Sequence, residues 1–480
     1  MATATGCGGS LSLGERTRVR GTGAFFFQCL VLSLLLSSHF SIHAAEKPVS
    51  YYRDLVPVLK RSCTGCHHPG KLKGELDVTT HAAFAKGGKH GAGFKPGNLK
   101  DSLVIDEIIG DEPSMPKEGD PLTKAEVALF TRWILEGATD DTPANANSFK
   151  LTEPPVYVRA PVVSALAFSP DGKHLAVSGY HEVLIHEVGG TNIVARLLGE
   201  SPRIESVVYS PNGKLLGVSG GAPALFGEIQ LWDTATNGLV RSIKASIDSL
   251  YGLSFSPDSE RVAVGGADKS VRVFSVKDGK DLMKFDNHSD WVFSTTFLVD
   301  GKRLLSGSRD KAMKLIEISN GQFIDDINKL LEGTLCFARS PKEDLVVYGG
   351  DQGVSRIYKI SENQGRTAGN NDVNLIKEYE RLGGPVQAIA WSPNGTNIAV
   401  AGAAPEVRVY TAGKDGKRTA TFKGHEGAVF ALAFHPSTNW LAAGGFDGTV
   451  RIYDYTAKSN SLVRSFVPVP LKGLTQTAAK

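Results

Sequence analysis

The sequence predicts two folded parts of unlike class: a small all-α segment over residues 46–140 and an all-β seven-bladed propeller over residues 156–467. Three observations lead there. Short runs of apolar alternation recur seven times at a spacing of about 40–45 residues, the signature of a radial β array. Glycine is abundant, 53 of 480 residues, without a collagen period, as a fold with many tight turns requires. Before residue 156 the pattern is different, with capped amphipathic stretches that read as helices. Hydrophobic residues at 41% and charged residues at 21% exclude a mostly disordered chain.

The first 45 residues stand apart. Arg16, Arg18 and Arg20 precede an apolar run from Ala24 to Leu36, and small residues follow to His43-Ala44-Ala45. This is the order of a secretory signal with cleavage near Ala44 or Ala45. The run is short and interrupted by Ser for a span of ~20 residues, so an uncleaved anchor is the weaker alternative. Residues 1–45 carry three Arg and one Glu, so without them 50 basic groups face 49 acidic ones. That balance offers no basic footprint for nucleic acid. No second apolar run of spanning length occurs, so no stable membrane span is expected after signal cleavage, and the location expected is periplasmic or otherwise extracytoplasmic, in a bacterium.

Beyond the signal three cysteines remain, Cys63, Cys66 and Cys336, too few for a disulfide framework. Cys63-Thr64-Gly65-Cys66-His67 has the C-x-x-C-H spacing of covalent haem attachment. Two thiols at this spacing reach the two vinyl groups of one haem c, and the adjacent His67 becomes the proximal iron ligand. A zinc site would need a second ligand pair; His68, His81 and His90 are near, but no second C-x-x-C exists. A redox dithiol would need a thioredoxin-like βαβ setting, and none is visible. Cys336 reads as a buried free thiol.

The surrounding elements follow in order. Tyr51 to Lys60 predicts a short helix made irregular by Pro57. Residues 70–98, rich in Gly and Lys, predict a loop in which Gly87-Gly88 and Gly91-Ala92-Gly93 allow close wrapping. Leu103 to Ile109 predicts a short helix or strand, followed by the Pro-flanked loop Pro113-Ser114-Met115-Pro116. A helix follows, with Thr123 as N-cap, Glu126 closing a capping box, an apolar face of Val127, Phe130, Ile134 and Leu135, and Gly137 as terminator. Met115 is the one Met of this segment, which makes it the candidate distal haem ligand through its soft thioether. The alternative is a Met packed on the haem edge, with His81 or His90 as the next candidates.

Residues 50–140 resemble the planctomycete-type cytochrome c domain. The matching runs, in order, are R-D-L-V-P-V-L, C-T-G-C-H, G-E-L-D-V, G-G-K-H-G, P-G-N-L-K-D-S-L, S-M-P, L-T-K-A-E and W-I-L-E-G-A. The resemblance implies one covalent haem c on Cys63 and Cys66, with His67 proximal, Met115 distal, and Trp133 packed near the haem. Met115-Pro116-Lys117 departs from the family, which usually has a second Pro there.

Residues 141–155 read as a linker rich in Asp, Asn, Ala and Pro. From residue 156 each copy carries a turn pair (Ser169-Pro170, Ser210-Pro211, Ser256-Pro257, Val299-Asp300, Ser340-Pro341, Ser392-Pro393, His435-Pro436) and a strand end at His186, Trp232, Phe274, Ile316, Tyr358, Tyr410 and Tyr453. The pattern predicts four short antiparallel strands per copy. These copies resemble WD repeats: Leu231-Trp232-Asp233 matches the name motif, while Gly424-His425 with Asp447, and His288 with Asp310, match the family's structural His and Asp. Arg339 stands where an apolar residue is usual and predicts a distorted fifth copy. The polar stretch Glu362–Asp372 predicts an exposed loop. Arg272, Lys314, Arg356, Arg408 and Arg451 share one repeat position, which points to a structural role rather than a basic ring. Either Val156–Val158 or Leu462–Phe466 supplies the closing outer strand, and residues 468–480 read as a loose tail.

Three functions remain open at this stage. The favoured one is an exported one-electron carrier, not an enzyme, whose propeller docks a protein redox partner. An interaction scaffold with a structural or sensory haem and a haem peroxidase-like enzyme are the alternatives.

Overall fold

Local chemistry shapes the helical segment. Ser50 caps it by accepting the Arg53 N–H. The chain then makes a wide π-helical turn over Tyr51–Leu55 before helix α1, Val56–Ser62, whose early Pro57 has no N–H to give. A computed structural model describes residues 47–68, 71–117, 119–143, 153–328, 332–360, 372–457 and 462–472. The expected signal and most of the linker and of the 362–372 insertion lie outside these. Helix α2, His81–Lys86, follows, capped by Thr80. This helix interrupts the loop expected over residues 70–98; the six residues between its cap and Gly87-Gly88 are too few to show a helical period in the sequence. The glycines do allow close wrapping: a Cβ on Gly87 would lie 1.9 Å from the Gly91 carbonyl oxygen. Leu103–Ile108 is helix, α3, and Lys124–Leu135 is helix α4, with the Thr123–Glu126 capping box formed. Among the described residues no helix is long and apolar enough to cross a membrane.

From Leu166 onward the described elements are strands. Five open sheets have four antiparallel strands each, and a sixth has seven. In the sixth, the 17-residue strand Ile193–Tyr209 pairs with Tyr180–Glu187 through its first part and with Leu215–Ala222 through its last, so two four-stranded runs share it. The second strands, such as Arg261–Gly266, Arg303–Ser308 and Asn397–Gly402, are buried beyond their first residue, because each is covered on both faces.

The recurrent Ser-Pro turn explains the period. Ser169 Oγ donates to Asp171 Oδ1 (2.6 Å) and accepts the His174 N–H (3.0 Å). Ser210 with Asn212 and Ser392 with Asn394 repeat this arrangement. Where Ser is absent, Asp300 takes over by accepting the Lys302 and Arg303 N–H groups. Arg339 does not distort its sheet. Its strand, Thr334–Arg339, carries the same early bulge as Val292–Phe297, Val386–Trp391 and Val429–Phe434, and its guanidinium bonds the Ser340 carbonyl at 2.7 Å.

The first and last sheets meet. Val163 N–H donates to the Gly445 carbonyl (3.0 Å), and His435 Nε2 to the Gly172 carbonyl (3.0 Å). Arg464 donates to the carbonyls of Val188 (2.6 Å), Gly190 (2.7 Å) and Gly189 (3.1 Å). Leu462–Phe466 is the outer strand of the last sheet, so Val156–Val158 is not. Tyr157 instead bridges Leu471 in parallel, and the Lys472 N–H bonds the Tyr157 carbonyl (2.8 Å). Within the expected tail Val469 is therefore packed rather than loose, 2% exposed against Tyr157 and Leu184, while Pro470 and Lys472 are exposed.

Arg464→Ala removes three charge-assisted bonds to backbone carbonyls. It should lower unfolding stability by ~1–3 kcal/mol, whereas Arg418→Ala, which breaks an exposed pair with Glu380, should cost no more than ~1 kcal/mol. Denaturant melts of the two variants check this; equal effects would contradict it.

Candidate cofactor site

The C-x-x-C-H turn is a continuation of α1. The Cys63 and Thr64 N–H groups both donate to the Leu59 carbonyl (2.8 and 2.9 Å), and the Cys66 and His67 N–H groups both donate to the Cys63 carbonyl (3.2 Å each). This winding brings Cys63, Cys66 and His67 onto one turn. Cys63 and Cys66 are not joined as a disulfide. Cys63 packs against the helical core, and burial pushes its thiol up to about 11, so it is a neutral thiol at pH 7.

The chain then folds back over the turn. Lys73 N–H donates to the Cys66 carbonyl (3.2 Å), Val78 N–H to the His67 carbonyl (3.1 Å), and His67–His68 pairs antiparallel with Lys71–Leu72. His67 Nδ1 lies 2.9 Å from the Lys73 carbonyl. A carbonyl only accepts, so Nδ1 carries the proton and Nε2 keeps its lone pair. Among the described residues no three His, Cys, Asp or Glu side chains converge as a metal cage. A zinc site would need that convergence. A haem c does not, because its thiols bond the porphyrin and only the imidazole meets the iron. The donor set therefore fits haem c.

The core beside the turn is aromatic. Trp133, 1% exposed, stacks on Tyr51 at 5.4 Å and meets Phe94 at 4.6 Å, while its indole N–H bonds the Thr139 carbonyl (3.1 Å). His81 belongs to this cluster. Its Nε2 donates to the Ala138 carbonyl (2.8 Å), and its ring stands edge-on to Tyr51, Phe94 and Trp133. That bond makes His81 a tie between α2 and the end of α4. His90 is exposed at the Gly88–Gly91 turn. Met115 lies on a separate loop, half-buried, fastened to the end of α3 by its N–H to the Glu107 carbonyl (2.9 Å).

Comparison with known proteins agrees with both halves of this architecture. Residues 63–119 match the family model for planctomycete cytochrome C, a span that includes Cys63, Cys66, His67 and Met115. Residues 157–183, 237–275, 279–317 and 416–454 match the model for the WD domain, G-beta repeat. The chain thus carries a planctomycete cytochrome C domain followed by WD40 repeats. Among similar curated proteins, Protein hir-1 of Neurospora crassa is 25% identical over 243 residues, 46% of this chain and 20% of that protein. The F-box-like/WD repeat-containing protein TBL1Y of Homo sapiens is 27% identical over 124 residues, 24% of this chain and 23% of that protein. Eukaryotic translation initiation factor 3 subunit I of Caenorhabditis briggsae is 32% identical over 113 residues, 20% of this chain and 35% of that protein. The matches span only about a fifth to a third of these relatives' own lengths.

Two His–Asp pairs in the strands invite a triad reading, and burial answers it. His288 Nδ1 meets Asp310 Oδ2 at 2.8 Å, and Nε2 meets Ser306 Oγ at 2.8 Å. Ser306 is fully buried, and so are the His288 and Asp310 side chains to within a few per cent. Burial works against the Asp310 charge, yet the hydrogen bond from His288 holds its carboxyl down at about 2. In the last sheet Ala443 stands at the position of Ser306, and Arg451 reaches in to bond both Asp447 (2.7 Å) and His425 Nδ1 (3.1 Å). Arg272, Lys314, Arg356 and Arg408 are likewise each paired with a carboxylate.

Burial, then the Arg451 charge, push His425 down to about 4. An unfolded His titrates near 6.5, so the unfolded chain takes up this proton first as pH falls. Stability should be full above pH ~6.5 and decline by ~2–3 kcal/mol toward pH ~4. His425→Gln should flatten that limb in urea melts at pH 7 and 4.5; an unchanged pH slope would contradict it.

Proposed function

We propose that this chain is an exported one-electron carrier. In this proposal haem c is held by Cys63 and Cys66 through thioether bonds, with His67 as proximal ligand and Met115 as distal ligand. The observation that carries the reading is the His67 Nδ1 bond to the Lys73 carbonyl, 2.9 Å long. It fixes the imidazole's orientation and tautomer and leaves Nε2 for iron. Bound haem c supplies a one-electron iron couple. The chain's own residues would hold it still: the turn after α1 presents the thiols, the Lys73 carbonyl orients the imidazole, and the Tyr51–Phe94–Trp133 cluster braces the helices behind them. Reversible electron transfer favours such rigidity, because a site that moves little between oxidation states loses little energy to rearrangement.

In the same proposal the strands form a seven-bladed propeller, and its faces serve as the docking platform for a protein redox partner. The four-stranded runs, with one long strand shared by two of them, and the bonds joining Gly172, Val163 and Val188 to the last sheet support a closed ring. The buried state of the Ser306–His288–Asp310 set supports a non-enzymatic role for the strands. The Arg-rich start and apolar run of residues 16–36 support export, and covalent haem attachment suits an extracytoplasmic setting.

The double variant Cys63→Ser/Cys66→Ser should leave no haem on the polypeptide in a peroxidase-stained denaturing gel. Haem that survives denaturation in the variant would refute the attachment site. Met115→Ala should erase the weak red-region charge-transfer band of the oxidised protein, lower the reduction potential, and let the reduced iron take carbon monoxide. An unchanged spectrum would remove Met115 as the ligand.

A further inference from the structure

The first two four-stranded runs do not close on each other as the others do. At the equivalent place in each run, the outer strand sends one residue toward the third-to-fourth-strand turn of the next run. The strand registers place Arg241, Met283, Asp325, Lys377, Ala420 and Arg464 at this position in the second to seventh runs. Long side chains there cover the facing turn. Arg241 bonds the Lys277 carbonyl (2.8 Å) and lies over Gly279. Met283 lies over Gly321 and Lys377 over Gly416, and Arg464 holds the carbonyls of Val188 and Gly190. Where the outer residue is short, the facing turn supplies bulk instead: Ile360, 3% exposed, opposite Asp325, and Tyr455, 8% exposed and edge-on to Phe434 at 4.9 Å, opposite Ala420.

Among the described residues, only between the first and second runs are both positions small. The outer-strand residue is Ala195, on the same side of its strand as Leu197, and the facing turn residue is Thr234, whose hydroxyl is turned away to the Gly213 carbonyl (2.7 Å). A cavity of about 540 Å³ lies at this junction, lined by Thr234 and by Val194 and Leu197 on either side of Ala195 in sequence, and its volume is within the ~300–1,000 Å³ typical of small-molecule sites. Its lining is mixed in chemistry: Ile185, Leu197 and Leu216 are apolar, Tyr209 and Trp232 are aromatic, Asp171 and Asp233 are acidic, and Ser169, His174, Asn212 and Asn237 are polar, with no Lys or Arg among the lining residues. The Ser169 hydroxyl bond holds the Asp171 carboxyl below its ordinary value, and the Thr236 N–H does the same for Asp233, so both are charged at neutral pH. The nearest cation to Asp171 is the exposed Lys173, whose ammonium stands 4.0 Å away. The Tyr209 phenol makes no hydrogen bond with the described residues, and burial, then the Asp171 charge, keeps it neutral.

We propose that this cavity binds a small organic cation with an apolar body, an alkyl- or quaternary ammonium, its methyl or methylene groups against Tyr209, Trp232 and Leu197 and its charge toward Asp171 and Asp233. Aromatic faces attract such cations, and the Asp171 carboxylate, its side chain 54% exposed, meets the charge at the solvent side while the apolar body lies inside. A neutral ligand of equal shape gains the apolar contact but not the charge. An inorganic cation gains the charge but leaves the apolar wall bare.

The test is calorimetric titration of the full chain with choline and, separately, with its uncharged isostere 3,3-dimethylbutan-1-ol. Choline should bind saturably and at least ~10-fold more tightly than the isostere. Ala195→Met copies a residue that a sister junction already accommodates, so it should keep the wild-type thermal midpoint and lose choline binding by at least ~10-fold. Thr234→Tyr gives up the hydroxyl bond to the Gly213 carbonyl, so it should fold with a slightly lowered midpoint and lose choline binding to the same extent. No saturable choline binding by the wild type, equal affinity for the isostere, or undiminished binding in a folded cavity-filled variant would overturn the proposal.

Discussion

The strand-rich part of this chain depends on one seam. Residues more than 260 positions apart meet there, through His435 Nε2 on the Gly172 carbonyl and Arg464 on the carbonyls around Gly189. Four-stranded sheets with both faces apolar cannot stand alone, because each needs a neighbour on either side to remove its apolar faces from water. The first and last sheets are the ones without a sequence neighbour on one side, so the seam is where that need is met. It is built from strong donors on backbone carbonyls rather than from apolar contact alone, which fixes the partner and its register as well as the burial. Tyr157 and Leu471 lock the two termini of the strand region beside it.

The period was legible in sequence because its punctuation is chemical. A Ser-Pro pair followed by Asp or Asn closes four of the seven turns through the same side-chain bonds, so the signal survives while the strands around it drift. The capping box at Thr123 and Glu126 was legible for the same reason. What escaped the sequence was set by distant partners. α2 is too short to show a helical period and is held by Thr80 and by the His81 bond to Ala138, 57 residues away. The packing of Val469 depends on Tyr157, more than 300 residues earlier, so composition alone made that end look loose. Arg339 looked disruptive because its type is unusual, yet a guanidinium can leave the strand edge and bond a carbonyl while its backbone keeps the register.

The candidate site was legible as a motif but not as a geometry. Cys63, Cys66 and His67 could be named from spacing; the Lys73 carbonyl that orients the imidazole could not, because nothing in its residue type announces the role. The cavity between the first two runs was hidden for a related reason. Ala195 and Thr234 are unremarkable alone, and their smallness has meaning only beside the Arg, Met, Lys and Tyr that hold the matching positions elsewhere. In the proposed function these features pair the C-x-x-C-H turn, as the haem-holding element, with the repeat strands, as the surface that meets a partner.

The most direct test of the central claim is a spectroelectrochemical titration of the full, haem-loaded chain. The account predicts a single, fully reversible transition with a one-electron slope and superimposable oxidative and reductive curves. A site that shows no reversible transition, or one whose curves separate because the iron changes ligand on reduction, would contradict it.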